Sequence, residues 1–447
     1  MIKKFLLLSV IVSQLTISCS KEDDAINPTD PTNQTDPTNP TNPAEKNLAE
    51  QIAEIIKLPY SALQPEQQKT KLEAEANDML LKLDKSKTSG AIEATENLGN
   101  LLSINTIDIL DGKSDNQIAD VLNISGVYGI YSWNNSKQIW EKTTSTSELK
   151  FIFPAKKGQT TNNATLSTKS TSSDIKVKLN DLDQFYLPTS ADATLTINDK
   201  QAATFTTTAK YSNGKETPTE SSFKMVLSDG YTFEISGKKM PAEAKSSFTF
   251  EGKNIIEFNS GSTANIDELL KDNALVSYRG KANGLIRLMD NFVILADANI
   301  EGLANDEAAL DKSLTYPDYK SKTYYTNLNT YNKSYSEGSV LANNKNVKMI
   351  LVSKKDGTKI ADVIQKSQKG DSYNSNVIWK TDSSVKEYGG YWTWDYNSVG
   401  TSVQQYDEVL YLKFNDNTEV EMSVYFSTGF DTLNTKFEDF LKAFERN

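Results

Sequence analysis

Phe223-Lys224-Met225-Val226-Leu227, then Ser228-Asp229-Gly230, then Tyr231-Thr232-Phe233-Glu234-Ile235 is the stretch on which the fold turns. On both sides of the Asp-Gly pair apolar residues recur at every second position, which places them together on one face of an extended chain. Asp-Gly favours the tight turn that joins two antiparallel neighbours, so the sequence predicts a β-hairpin here. Asp356-Gly357 repeats the signal between Val347 to Val352 and Ile360 to Ile364, and Leu149 to Phe153 and Ala193 to Ile197 are further short alternating runs.

This pattern starts near residue 120. Before it, Leu48, Ile52, Ile55 and Ile56 mark one helical stripe, and Leu72, Ala76, Met79, Leu80 and Leu83 mark a second that starts after Pro65-Glu66. Gly90 breaks the chain before a third helical segment through Ile92, Leu98 and Leu101. Further helices are expected near Ile266 to Leu275 and Asp306 to Leu314, and Phe430, Leu433, Phe437, Phe440, Leu441 and Phe444 line one face of a closing helix. The expected class is α+β: an N-terminal helical hairpin, a largely antiparallel aromatic-rich β-sheet and a C-terminal amphipathic helix. Gly126 to Asn134 with Glu148 to Phe153 can be laid against Gly390 to Asn397 with Glu408 to Phe414, which raises a duplicated sheet module.

The first residues read differently. Lys3 and Lys4 precede an apolar run from Phe5 to Val12, and small or polar residues lead to Cys19, the single cysteine. That is the layout of a secretion signal, and the run is shorter than the roughly 20 residues a membrane-spanning helix needs. With one cysteine the chain makes no internal disulfide. Leu15-Thr16-Ile17-Ser18-Cys19 resembles a bacterial lipobox, with Thr16 where that motif usually has Leu. Ser20, Lys21, Glu22, Asp23 and Asp24 resemble the acidic export signal of Bacteroidota surface lipoproteins. The resemblance implies cleavage before Cys19, acylation of Cys19, and an outward-facing anchor in the cell outer membrane.

From Ala25 to Pro43 five prolines alternate with Asn, Thr and Asp, and no apolar residue follows Ile26. Such a stretch makes a semi-stiff tether of ~50–60 Å at about 3.1 Å per residue. The expected organisation is a signal over 1–18, anchor and tether over 19–46, a helical region over 47–120, an antiparallel β region over 121–262, and a mixed β region with the closing helix over 263–447. This arrangement is similar to that of uncharacterised Bacteroidota surface lipoproteins, a likeness that brings no active site with it.

Composition narrows the chemistry. Loss of Lys3 and Lys4 with the signal takes the formal charge from −11 to −13, which suits neither nucleic acid nor anionic lipid as a partner. There is no histidine. That excludes imidazole acid/base catalysis and Ser-His-Asp triads, and it disfavours zinc and iron sites. Neither a metal nor a cofactor is expected. Ser173-x-x-Lys176 and Ser221-x-x-Lys224 lie in strand-like runs, and Ser114-Asp115-Asn116 precedes them, whereas penicillin-recognising enzymes need the opposite order and a helix. Asp108, Asp111 and Asp115 around Gly112 lack the alternation and final Glu of a calcium loop. Asp181 and Asp183 share a strand parity, but linear spacing does not fix the distance between two carboxylates that a glycosidase needs.

Aromatic residues remain. Tyr316, Tyr319, Tyr324, Tyr325, Tyr331 and Tyr335 sit among Ser, Thr, Asn and Lys with few aliphatic neighbours to bury them. Trp133, Trp140, Trp379, Trp392 and Trp394 are either sheet core or faces for a sugar or peptide to stack on. Tyr324, Tyr325, Trp392 and Trp394 are the candidate ligand residues, the two tryptophans sharing one strand face. The expected function is a non-catalytic binding or structural module on a membrane stalk. The alternatives are a glycan-binding accessory protein of a nutrient-uptake system, a glycoside hydrolase working with carboxylates alone, and a lipid carrier. The expected partners are the membrane, through the lipid, and a glycan or an extracellular protein.

Overall fold

The computed structural model describes residues 48–86, 88–105, 125, 127–178, 184–212, 214–263 and 280–426. The chain is α+β. Three helices come first: α1 (Leu48–Ile56), α2 (Pro65–Ser86) and α3 (Gly90–Ile104). Twelve strands follow: β1 (Gly129–Asn134), β2 (Ile139–Thr143), β3 (Leu149–Phe153), β4 (Ala164–Lys178), β5 (Gln184–Ile197), β6 (Lys200–Lys210), β7 (Glu220–Leu227), β8 (Tyr231–Lys239), β9 (Ala242–Phe250), β10 (Lys253–Ser262), β11 (Lys281–Leu288) and β12 (Phe292–Asn299). Next are helices α4 (Ile300–Ser313) and α5 (Tyr324–Asn346). Then come β13 (Val347–Ser353), β14 (Thr358–Asn374), β15 (Val377–Thr381), β16 (Gly390–Trp394), β17 (Ser402–Lys413), β18 (Glu419–Glu421) and the single turn α6 (Met422–Tyr425).

Sixteen of these strands form one sheet, ordered β18-β17-β14-β13-β12-β11-β10-β9-β8-β7-β6-β5-β4-β3-β1-β2. Both Asp-Gly pairs are hairpin turns, and Gly230 and Gly357 supply the positive φ those turns require. Among the described strands of this sheet only β1 and β3 run parallel, and Tyr60 makes a single parallel bridge to Lys359. β10 and β11 pair in register from Ser262↔Ala282 to Ile256↔Leu288, so the sheet continues past residue 262.

Helices cover both faces. On β12, Phe292 packs with Leu72 and Ala76 of α2, whereas the next residue, Val293, packs with Ile52 of α1. Neighbouring strand residues point to opposite faces, so α1 and α2 lie on opposite sides of the sheet. The link between them crosses the start of β14, where Lys359 donates to the Pro59 carbonyl and Ser61 donates to the Lys359 carbonyl, both at 2.8 Å. The stripe read in α2 is the buried one: Leu72, Ala76, Met79, Leu80 and Leu83 are all at or below 5 % exposed. With α3 it covers an aromatic core in which Tyr131 stacks on Phe151 at 5.5 Å and Trp140 meets Trp133 edge-on at 5.3 Å. Trp133 and Trp140 are therefore core residues.

The two stretches read as a repeat take different partners. β1 pairs with β2 and β3, but β16 pairs with β15 in a separate two-stranded sheet, away from β17. Their likeness is one of strand composition, and the topology does not repeat. Helix α4 begins at Asn299, whose side chain accepts from Gly302 N, and spans the residues expected from Asp306. The helix near Ile266 to Leu275 and the closing helix from Phe430 lie outside the described residues.

Candidate ligand-binding surface

Helix α5 was not legible as a helix, because its buried apolar residues, Leu328, Val340 and Ala342, are too sparse to mark a stripe and Ser336 and Asn346 are buried with them. It crosses the β14–β17 ribbon obliquely and is held there by asparagine and serine. At its C-terminal end Asn344 accepts from Gln365 N and donates to Gln365 O, both at 2.8 Å, beyond the point where β13 stops pairing with β14. Midway, Ser336 donates to Ser367 Oγ at 2.8 Å. Near its start Asn329 accepts from Gln404 N at 2.8 Å and donates to Ser402 O at 3.0 Å, and Asn332 donates to Gln404 O. These amides satisfy backbone groups that a further strand would otherwise take, as backbone groups that lack water require. Gly338 lets α4 approach α5: a Cβ there would stand 2.3 Å from Leu310.

This anchoring leaves the tyrosines of α5 in a band of two ring clusters, joined at the Tyr316 and Tyr324 phenols. Tyr331 and Tyr335, one helical turn apart, stack with centroids 5.8 Å apart. Tyr316 meets Tyr331 edge-on at 5.0 Å, and its phenol hydrogen-bonds that of Tyr324. Tyr324 touches Tyr325 at 4.9 Å, Tyr325 touches Trp392 at 4.8 Å, and Trp392 touches Trp379 at 5.4 Å. Trp379 and Trp392 are cross-strand partners in the β15–β16 hairpin. Gly390 makes room for the Trp379 indole, since a Cβ there would sit 2.8 Å from that ring. Tyr324 to Tyr335 spans about 16 Å of helix at 1.5 Å per residue. Trp394, which shares a strand face with Trp392, is 67 % exposed, and Tyr316 and Tyr396 are exposed beside the band.

The hydrogen bond to Tyr316, with burial second, pushes the Tyr324 phenol up to about 12. Burial, followed by the carboxylate of Asp311 and then by Tyr331, Glu307 and Glu408, raises the Tyr335 phenol. Next to Tyr335 a groove of about 340 Å³ opens between α5 and β17, walled by Tyr331, Tyr335 and Tyr406 and rimmed by Asp407 and Glu408. Glu408 accepts from Gln365 Nε2 at 3.2 Å.

Three of the four candidate ligand residues thus meet, Tyr324 with Tyr325 and Tyr325 with Trp392, and Trp394 follows two residues on along β16. Sequence reading left Trp379 open between core and stacking face and missed Tyr406, Asp407 and Glu408 as members of this surface, since strand pairing alone brings them in. The four-residue spacing of Tyr331 and Tyr335 would have signalled the stack had a helix been recognised.

The other motifs are structural or out of view. Ser173 donates to Leu187 O, Lys176 lies over the Tyr186 ring, and Lys224 pairs with Glu234, so neither Ser-x-x-Lys forms a nucleophile and base. Asp108, Asp111, Ser114-Asp115-Asn116, Asp181 and Asp183 lie outside the described residues, as do Cys19, Ser20, Lys21, Glu22, Asp23, Asp24 and the tether. No group of three or more acidic or cysteine side chains placed to hold a metal occurs among the described residues. Compared with protein-family models, curated proteins and solved structures, the chain matches none.

Proposed function

We propose that this chain is a lipid-anchored protein of the outer membrane, facing outward, whose body retains a glycan on the aromatic band without altering it. The observation that carries the binding reading is two runs of ring contacts, Trp379–Trp392–Tyr325–Tyr324 and Tyr316–Tyr331–Tyr335, joined at the Tyr316 and Tyr324 phenols, with Tyr316 and Trp394 exposed. A sugar ring has apolar C–H faces and hydroxyl edges, which suit Tyr and Trp because each combines an apolar body with a polar tip. The anchor rests on Cys19 within its lipobox-like stretch, and the Pro-rich tether would hold the band clear of the membrane.

The test is a glycan array and pull-down with the full-length protein in detergent, beside a variant carrying Tyr324→Ala, Tyr325→Ala, Trp392→Ala and Trp394→Ala. The variant, matched by circular dichroism, should lose retention. Equal retention by both would refute the band as the site. Shortened glycan products would favour a carboxylate hydrolase instead, and capture of protein alone would favour an extracellular protein ligand.

A further inference from the structure

The groove at the Tyr335 end of the band has a composition that stacking alone does not call for. Its lining holds three tyrosines, three neutral polar side chains and two carboxylates, with no lysine or arginine. Lys369 is the cross-strand partner of Tyr406 but does not line the groove, and Lys333 on α5 is directed to Glu337 at 3.8 Å.

The rim carboxylate of Glu408 is held from below. Gln365, only 6 % exposed, gives its side-chain N–H to Glu408, and its backbone is fixed on both sides by Asn344. The amide oxygen of Gln365 is buried with no hydrogen-bond partner. Both amide atoms hang on one carbon, so this oxygen lies beside the Glu408 carboxylate. Reversing the amide would set oxygen against carboxylate, so the arrangement has one sensible orientation. The groove thus carries two carboxylates, one of them fixed in place from beneath, and no cationic side chain.

Three ring faces, each with a negative quadrupole, border the same volume. The complementary group has several N–H donors, no acceptor and a positive charge, which describes an alkylammonium. A cavity of about 340 Å³ lies at the small end of ligand pockets and suits a single unit of a longer polymer.

We propose that the groove between α5 and β17 is a subsite for the protonated amine of an amino-sugar unit, at the end of a glycan stacked along the band. An N-acetylated unit has lost the charge and offers one N–H donor, so the groove discriminates against it. The inference rests on the glycan reading of the band. The carboxylates of Asp311, Glu307 and Glu408, which add to burial in raising the Tyr335 phenol, favour the same cation.

The experiment uses the full-length protein in detergent and two oligosaccharides of equal length, one of β-linked glucosamine and one of β-linked N-acetylglucosamine, at low salt and a pH that keeps the amine protonated. The glucosamine oligomer should bind about tenfold more tightly, the size expected of a cation over aromatic faces beside a carboxylate. Asp407→Asn with Glu408→Gln should abolish that preference, because these changes keep shape and remove charge. Equal affinity for the two oligomers, or a preference that survives in the double variant, overturns the subsite and leaves the band standing. Failure of both oligomers while other glycans bind also overturns it. Failure of every glycan overturns the band and the subsite together.

Discussion

The indole N–H of Trp392 reaches the backbone carbonyl of Ser321 at 2.9 Å, and this bond ties the β15–β16 hairpin to the turn that launches helix α5. It also fixes the edge that Trp392 shows to Tyr325. Trp392→Phe keeps a ring in the band but removes one of two donors to that carbonyl, the other being Tyr324 N at 3.0 Å, and should cost about 1 kcal/mol of stability. Urea denaturation beside the wild type measures it. An unchanged midpoint would mean that water replaces the indole at no cost.

Asn329 serves β17 with both ends of its amide. Asn329→Leu, close in volume but without donor or acceptor, should destabilise the protein by about 1–3 kcal/mol, since two strand groups lose their partner. Thr326→Ala on the exposed side of the same helix should stay within about 0.5 kcal/mol. Thermal unfolding of the two variants decides whether polar side chains, more than apolar contact, hold α5 in place.

The Tyr316–Tyr324 phenol pair gives the band a spectroscopic handle. Tyr324 should ionise near 12, above its ordinary 10.0, when followed by phenolate absorbance. A raised phenol stabilises the fold fully below the ordinary value and loses that contribution as pH rises from 10.0 through about 12. Tyr316→Phe removes the largest cause and should bring Tyr324 back toward the ordinary range and flatten that part of the stability profile. A late-titrating tyrosine that persists unchanged in Tyr316→Phe would break the assignment.

Cys19→Ala should abolish labelling by a fatty-acid probe and release the protein from membranes. Replacing Lys21 to Asp24 with Ala should leave a lipidated protein that protease no longer reaches on intact cells. Undiminished labelling, or equal protease sensitivity of wild type and the second variant, would count against the anchor and the export signal respectively.

Much of the fold was legible locally. The α2 stripe, the third helix and both Asp-Gly hairpins are written in spacings of a few residues, and those spacings set which side chains face the core. The opposite placement of α1 and α2 was hidden, because an apolar stripe says that a face is covered and not which face. Helix α5 was hidden for a chemical reason: Asn329, Asn332, Ser336 and Asn344 tie it to the strands by hydrogen bonds, and its buried Leu328, Val340 and Ala342 are too few to show a hydrophobic period. The four candidate ligand residues were chosen by residue type. Their meeting depends on β15 pairing with β16 and on α5 crossing β17, relations between segments up to about eighty residues apart that no local spacing encodes.

Except at β14–β17 and β1–β3, each strand's neighbour in the sixteen-stranded sheet is the next one along the chain. A chain delivered from its N-terminal end can therefore extend the sheet strand by strand, closing short loops as it goes. The ring band draws on Tyr316 through Trp394 and needs β17 beneath α5, so it is assembled only after most of the sheet exists to support it. Possession of the band is in this sense a proof of completion: a molecule arrested midway has sheet and core but no band.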